Sequence, residues 1–112
     1  MADRKAVEHA TWAFGLHWGN DEPLYRAVLA YASAAMGRVP MSNQTLGRNV
    51  IDNVQRWCAQ GYVSSLGFGP LHYPMPVDPH VLAMMRKEVG NFRLVDEVEI
   101  GEDVREALAN ES

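Results

Sequence analysis

Apolar positions recur along this chain at three- and four-residue intervals, in stretches separated by clusters of Gly, Pro, Asn, Asp and Ser. Asp3 is placed to cap a first helix running to about Trp18, with Val7, Ala10, Phe14 and Trp18 along one face. Gly19-Asn20 is a natural stop. Asn20 or Asp21 then opens a second helix, with Pro23 tolerated in its first turn. From Leu24 to Met36 this helix is apolar almost all round, broken chiefly by Arg26 and Ser33, which marks it as the buried centre of the domain. Gly37 ends it.

The sharpest pattern follows. Ser42 is a good N-cap for a third helix reaching Gln60, with Gly61 just past its end. At a helical repeat Leu46, Val50, Ile51, Val54, Trp57 and Cys58 fall within an arc of about 140°. Thr45, Arg48, Asn49, Asp52, Gln55 and Arg56 take the other side. Two β-prone runs, 62–66 and 71–77, flank Gly67-Phe68-Gly69-Pro70 and predict a hairpin. Pro74 and Pro76 confine its second strand to an edge or an extended arm. Asp78-Pro79 caps a fourth helix that turns Val81, Leu82, Met85 and Val89 inward and closes at Gly90. Phe92-Leu94 and Val98-Ile100 alternate as a short strand would. Glu102 or Asp103 starts a last short helix with Val104 and Leu108 on one side. The expected fold class is α+β, mainly helical, with four to five helices and one short antiparallel hairpin.

Composition narrows the class. At 112 residues and 47% hydrophobic, the chain makes one domain able to bury a core without metal or disulfide support. Cys58 is the only cysteine, which rules out an intrachain disulfide and suits a reducing compartment. No stretch reaches the roughly 18 apolar residues of a membrane span, and the start lacks the apolar run of a signal peptide. A cytoplasmic, non-membrane protein is expected. The net charge of −4 conceals a division: residues 95–112 carry seven carboxylates against Arg105, a net of −6, which leaves +2 on residues 1–94. The expected organisation is one globular domain, 1–94, with an acidic segment, 95–112, packed on it or extending from it. That segment reads either as a solvated face or as a docking strip for a basic partner.

Catalytic chemistry finds little foothold. His9 and His17 are eight residues apart on one helix, too far to share a metal, and His72 and His80 flank the proline-rich arm. The glycines at 67 and 69 lack phosphate-loop spacing. Cys58 lies on an apolar helix face, where ionisation is disfavoured. No enzyme, cofactor or metal site is expected.

The segment Arg48-Asn49-Val50-Ile51-Asp52-Asn53-Val54-Gln55-Arg56-Trp57-Cys58-Ala59-Gln60-Gly61-Tyr62-Val63 resembles the recognition helix and first wing strand of winged helix-turn-helix proteins. The likeness spans residues 22–77. It implies that Arg48, Asn49, Asp52, Gln55 and Arg56 face a DNA major groove, where Arg reads guanine or phosphate and Asn or Gln reads adenine. The same residues also read as an amphipathic core helix followed by a hairpin.

The competing expectation is a small accessory protein that binds a protein partner or itself: an adaptor, inhibitor or assembly factor of bacterial or phage type. Three Trp, four Tyr and six Met are generous for this length, and these residues are favoured at interfaces. Trp18, Phe68, Leu71, Tyr73 and Met75 are the contact candidates, with duplex DNA the alternative partner.

Overall fold

The computed structural model describes residues 3–63 and 77–111, and every element in them is helical. Helix α1 spans Arg4–Asn20, α2 Glu22–Arg38, α3 Asn43–Gln60, α4 Pro79–Val89 and α5 Glu97–Glu111, with a 3₁₀ turn at Phe92–Leu94. The α+β, winged-helix-like expectation is therefore corrected to an all-helical fold among the described residues. Tyr62 and Val63 leave α3 without forming a strand, and the rest of the expected hairpin, 64–76, lies outside those residues.

Short polar side chains set the helix starts. The Asp3 carboxylate accepts from the Lys5 amide at 3.1 Å, Asp21 from Leu24 at 3.1 Å, Ser42 from Thr45 at 3.2 Å and Asp78 from His80 at 2.9 Å. Pro23 and Pro79 sit in first turns, where a missing amide hydrogen costs nothing. Gly61 closes α3 at φ +87°, a left-handed conformation that a Cβ disfavours. α2 runs one residue past Gly37, to Arg38.

The strand expected within 92–100 is the second correction. Asn91 caps the 3₁₀ turn through the Arg93 amide (3.0 Å), and Asp96 accepts from the Val98 and Glu99 amides at 3.0 and 3.2 Å. That cap starts α5 at Glu97, five or six residues earlier than Glu102 or Asp103. Alternation over three residues fits a helix equally well: Val98 is exposed, whereas Ile100, Gly101 and Val104 are buried on one stripe.

α3 is the central helix, packed against α2, α4 and α5, and most closely against α5. The contact with α5 is backbone on backbone: Gly47 faces the Glu97 carbonyl and Gly101 faces the Asn43 carbonyl. Two glycines in register let the helices approach this far. Around the crossing, Leu46, Val50, Val54 and Trp57 meet Leu24, Val28, Ile100 and Val104 in one core. Tyr31 stands edge-on to Trp57, and Phe14 edge-on to Phe92, with centroids 6.4 and 6.2 Å apart. The acidic segment is thus helical from Glu97 to Glu111, and its apolar stripe joins that core.

Candidate functional site

The expected nucleic-acid set on α3 is divided. The Arg48 guanidinium donates from Nε and a terminal nitrogen to the two carboxylate oxygens of Glu97, at 3.3 and 3.4 Å. That bond, together with the Glu97 charge, raises the Arg48 pKa further. Arg48 and Gln55 share a small cleft with Asp52 and Glu97. Asn49 and Arg56 lie about 100° round the helix from them. The half-buried Asn49 amide points to Met41 Sδ at 3.9 Å, while Arg56 is exposed. Of the two arginines on the expected reading face, Arg48 is paired with Glu97 beside Asp52, which opposes a phosphate backbone there, while Arg56 is exposed and Arg93 lines the same cleft as Arg48.

Of the expected protein-contact residues, Phe68, Leu71, Tyr73 and Met75 lie outside the described residues. Trp18 is 5% exposed and stacks on Tyr25, rings 5.6 Å apart and nearly parallel. Its indole N–H is buried with no acceptor among the described residues. His9 and His17 both turn to the end of α4. His17 Nε2 lies 3.0 Å from Glu88 Oε2, and His9 Nε2 lies 3.2 Å from the Glu88 carbonyl oxygen. They clip α1 to α4. Among the described residues no three metal-ligating side chains gather, and no helix is long and apolar enough to cross a membrane.

The structure brings Trp18 and carboxylates of the expected docking strip together with Trp12 and other α1 residues outside the expected contact set. α1 and α5 meet where the Asp96 amide donates to Thr11 Oγ1 at 2.9 Å. A groove opens along their outer faces. One end, about 490 Å³, lies between Val7 and Glu8 on one side and Val98, Glu99 and Glu102 on the other. The other, about 590 Å³, lies between Trp12, Gly15 and Leu16 and the carboxylates Glu99 and Asp103. Glu8, Thr11 and Glu99 line both, so the two hollows adjoin along the α1–α5 seam.

Its walls combine two kinds of surface. Trp12 is 59% exposed, Val98 44% and Leu16 38%. These are three of the six large apolar side chains left exposed among the described residues, Trp12 and Leu16 lining one end of the groove and Val98 the other. Between them stand five carboxylates, Glu8, Asp96, Glu99, Glu102 and Asp103, against one cation, Arg4. Arg4 pairs with Glu8 at 3.3 Å. Desolvation, then repulsion from Asp103, Asp96 and Glu102, raises the Glu99 pKa. Desolvation, then Glu106 and Glu102, does the same to Asp103.

A signal for this groove is present in the sequence. At 100° per residue Trp12 and Leu16 fall on the polar side of α1 with Glu8, well away from the Ala10–Phe14–Trp18 stripe. An aromatic residue on a polar face is the informative kind of exposure. No protein-family model, no curated protein and no solved structure matches this chain.

Proposed function

We propose that this is a non-catalytic protein-binding domain, an adaptor, inhibitor or assembly factor, that takes a segment of another protein in the α1–α5 groove. One observation carries the reading: Trp12, more than half exposed, lines a groove together with Leu16, Thr11, Gly15 and Trp18. A large aromatic side chain beside a concavity is the usual anchor of a binding hot spot. Self-association through this face is disfavoured, because two copies would bring like-charged walls together. The one thiol does not suit catalysis: Cys58 is buried, and burial pushes its pKa to about 11.

Selection of displayed random peptides on the pure protein, repeated on Gly15→Arg, tests the reading. A Cβ on Gly15 meets nothing within 4 Å, so this side chain fills the groove without forcing the backbone apart. Enriched peptides are expected to bind the wild type, shift Trp12 emission, and lose at least about tenfold in affinity on Gly15→Arg and Trp12→Ala, a loss of about 1.4 kcal/mol. Equal binding to Gly15→Arg, or no enrichment, would overturn the proposal. Duplex DNA serves as the comparison ligand.

A further inference from the structure

Resting on that reading, we infer that the segment the groove accepts is a basic amphipathic helix of three to four turns. Its apolar side chains would meet Trp12 and Leu16, and its Lys or Arg side chains would meet Glu99, Glu102 and Asp103.

The charge argument starts from where the protein's own cations are spent. Arg26 pairs with Glu111 at 2.8 Å, Arg48 with Glu97, and Arg4 with Glu8. Arg105, the only cation on α5, turns away from the groove and donates to Asn43 Oδ1 at 2.7 Å and the Met41 carbonyl at 2.8 Å. Among the described residues, Glu99, Glu102 and Asp103 have no ion-pair partner. They crowd one another on successive turns of a helix, partly desolvated, so an arriving cation relieves repulsion as well as gaining attraction. An arriving anion meets the reverse. Trp12 adds an aromatic face of the kind that cations favour.

Shape supplies the rest. From Arg4 to Trp18 the α1 wall is about 21 Å long at 1.5 Å per residue, which matches a helix of about 14 residues. At the Trp12 end, apolar contacts from Trp12 and Leu16 on the α1 wall face Glu99 and Asp103 on the α5 wall, which calls for an occupant with an apolar stripe and a basic stripe side by side. That is an amphipathic helix laid into a groove.

Three peptides of about 14 residues share one apolar stripe and carry Lys/Arg, Gln or Glu at the remaining positions. Each is titrated against the full chain, following Trp12 emission and peptide anisotropy over a salt series. Trp57 is buried outside the groove and forms a steady background, whereas Trp18 lines the groove, so the titrations are repeated on Trp12→Phe to isolate the Trp12 signal. The basic peptide is expected to bind at least about tenfold tighter than the Gln peptide and to weaken as salt rises, and the Glu peptide is expected not to bind. Glu99→Gln with Asp103→Asn should weaken the basic peptide about five- to tenfold. Glu22→Gln with Asp52→Asn, the same charge change on exposed residues outside the groove, should leave it unchanged.

Equal loss in both double variants would mean attraction to net charge alone and would overturn the inference. If the Gln peptide binds as tightly as the basic one and both fail on Gly15→Arg, the groove docks proteins but selects no cation. The inference fails in the same way if none of the three binds while display-selected peptides do. Failure of the selection as well removes the groove itself.

Discussion

Replacing Gly47 by Ala tests the closest contact in the fold. The added Cβ would overlap the Glu97 carbonyl oxygen and stand 2.7 Å from its carbonyl carbon and 3.0 Å from the Gly101 nitrogen. All three are backbone atoms, so no side chain can swing aside. Restoring ordinary contact at about 3.5 Å requires α3 and α5 to part by on the order of 1.5 Å, which loosens dispersion contacts along the whole crossing. Overpacking costs about 1–3 kcal/mol or more, and backbone opposition places this case at the upper end. Ala in place of Gly within a helix returns up to about 1 kcal/mol. The net expectation is a loss of about 2–3 kcal/mol, near 10 °C in melting temperature for a domain of this size. Urea unfolding followed by far-UV circular dichroism measures it. Gly15→Ala is the internal reference: its Cβ meets nothing, so it should gain up to about 1 kcal/mol. Gly101 repeats the contact against Asn43, and one separation accommodates both methyl groups. The double variant should therefore lose clearly less than the sum of the singles. Wild-type stability in Gly47→Ala, or full additivity in the double variant, would refute the reciprocal crossing.

Three further outcomes follow from two side chains. With its pKa near 11, Cys58 should react with a disulfide reagent at pH 8 orders of magnitude more slowly in the native protein than in urea, and rapid native labelling would contradict its burial. The unfolded thiol ionises first, so this group's contribution is intact below about pH 9 and is lost as pH rises toward 11; Cys58→Ala should flatten that part of the stability profile. Arg105→Lys should cost about 1–2 kcal/mol in urea unfolding. One ammonium cannot reproduce the two guanidinium bonds to Asn43 and Met41, and full stability in the Lys variant would show that they contribute little.

How far the fold could be read from the sequence depended on whether the deciding interaction was local. Ser42, the apolar arc from Leu46 to Cys58 and the left-handed Gly61 all lie within α3 or at its ends, and each was legible. Asp3, Asp21 and Asp78 announced their helices in the same way, through amides two or three residues on. The segment 92–100 misled because its alternation is too short to separate period 2 from period 3.6. Its deciding residue, Asp96, looked like one more acid in an acidic run rather than a cap. Gly101 hid the rest. A glycine inside a helix reads as a weakness until the helix that needs its missing Cβ is known, and that helix begins more than fifty residues earlier.

The groove was hidden for a related reason. Taken alone, the outer face of α1 is a solvated surface with a stray tryptophan, and the outer face of α5 is a run of carboxylates. Neither is a site. They line one groove because the Asp96 amide finds Thr11 across 85 residues of chain, and because two glycines seat α5 directly on α3. Trp18 lies on the apolar stripe of α1, and that stripe packs it on Tyr25 while it still lines one end of the groove. Trp12 breaks the pattern and stays exposed. In a chain whose core residues already fall on regular stripes, the residue that departs from its stripe is the one whose position packing does not explain. On α1 that residue is Trp12, and the surface opposite it carries Glu99 and Asp103, which make no ion pair among the described residues.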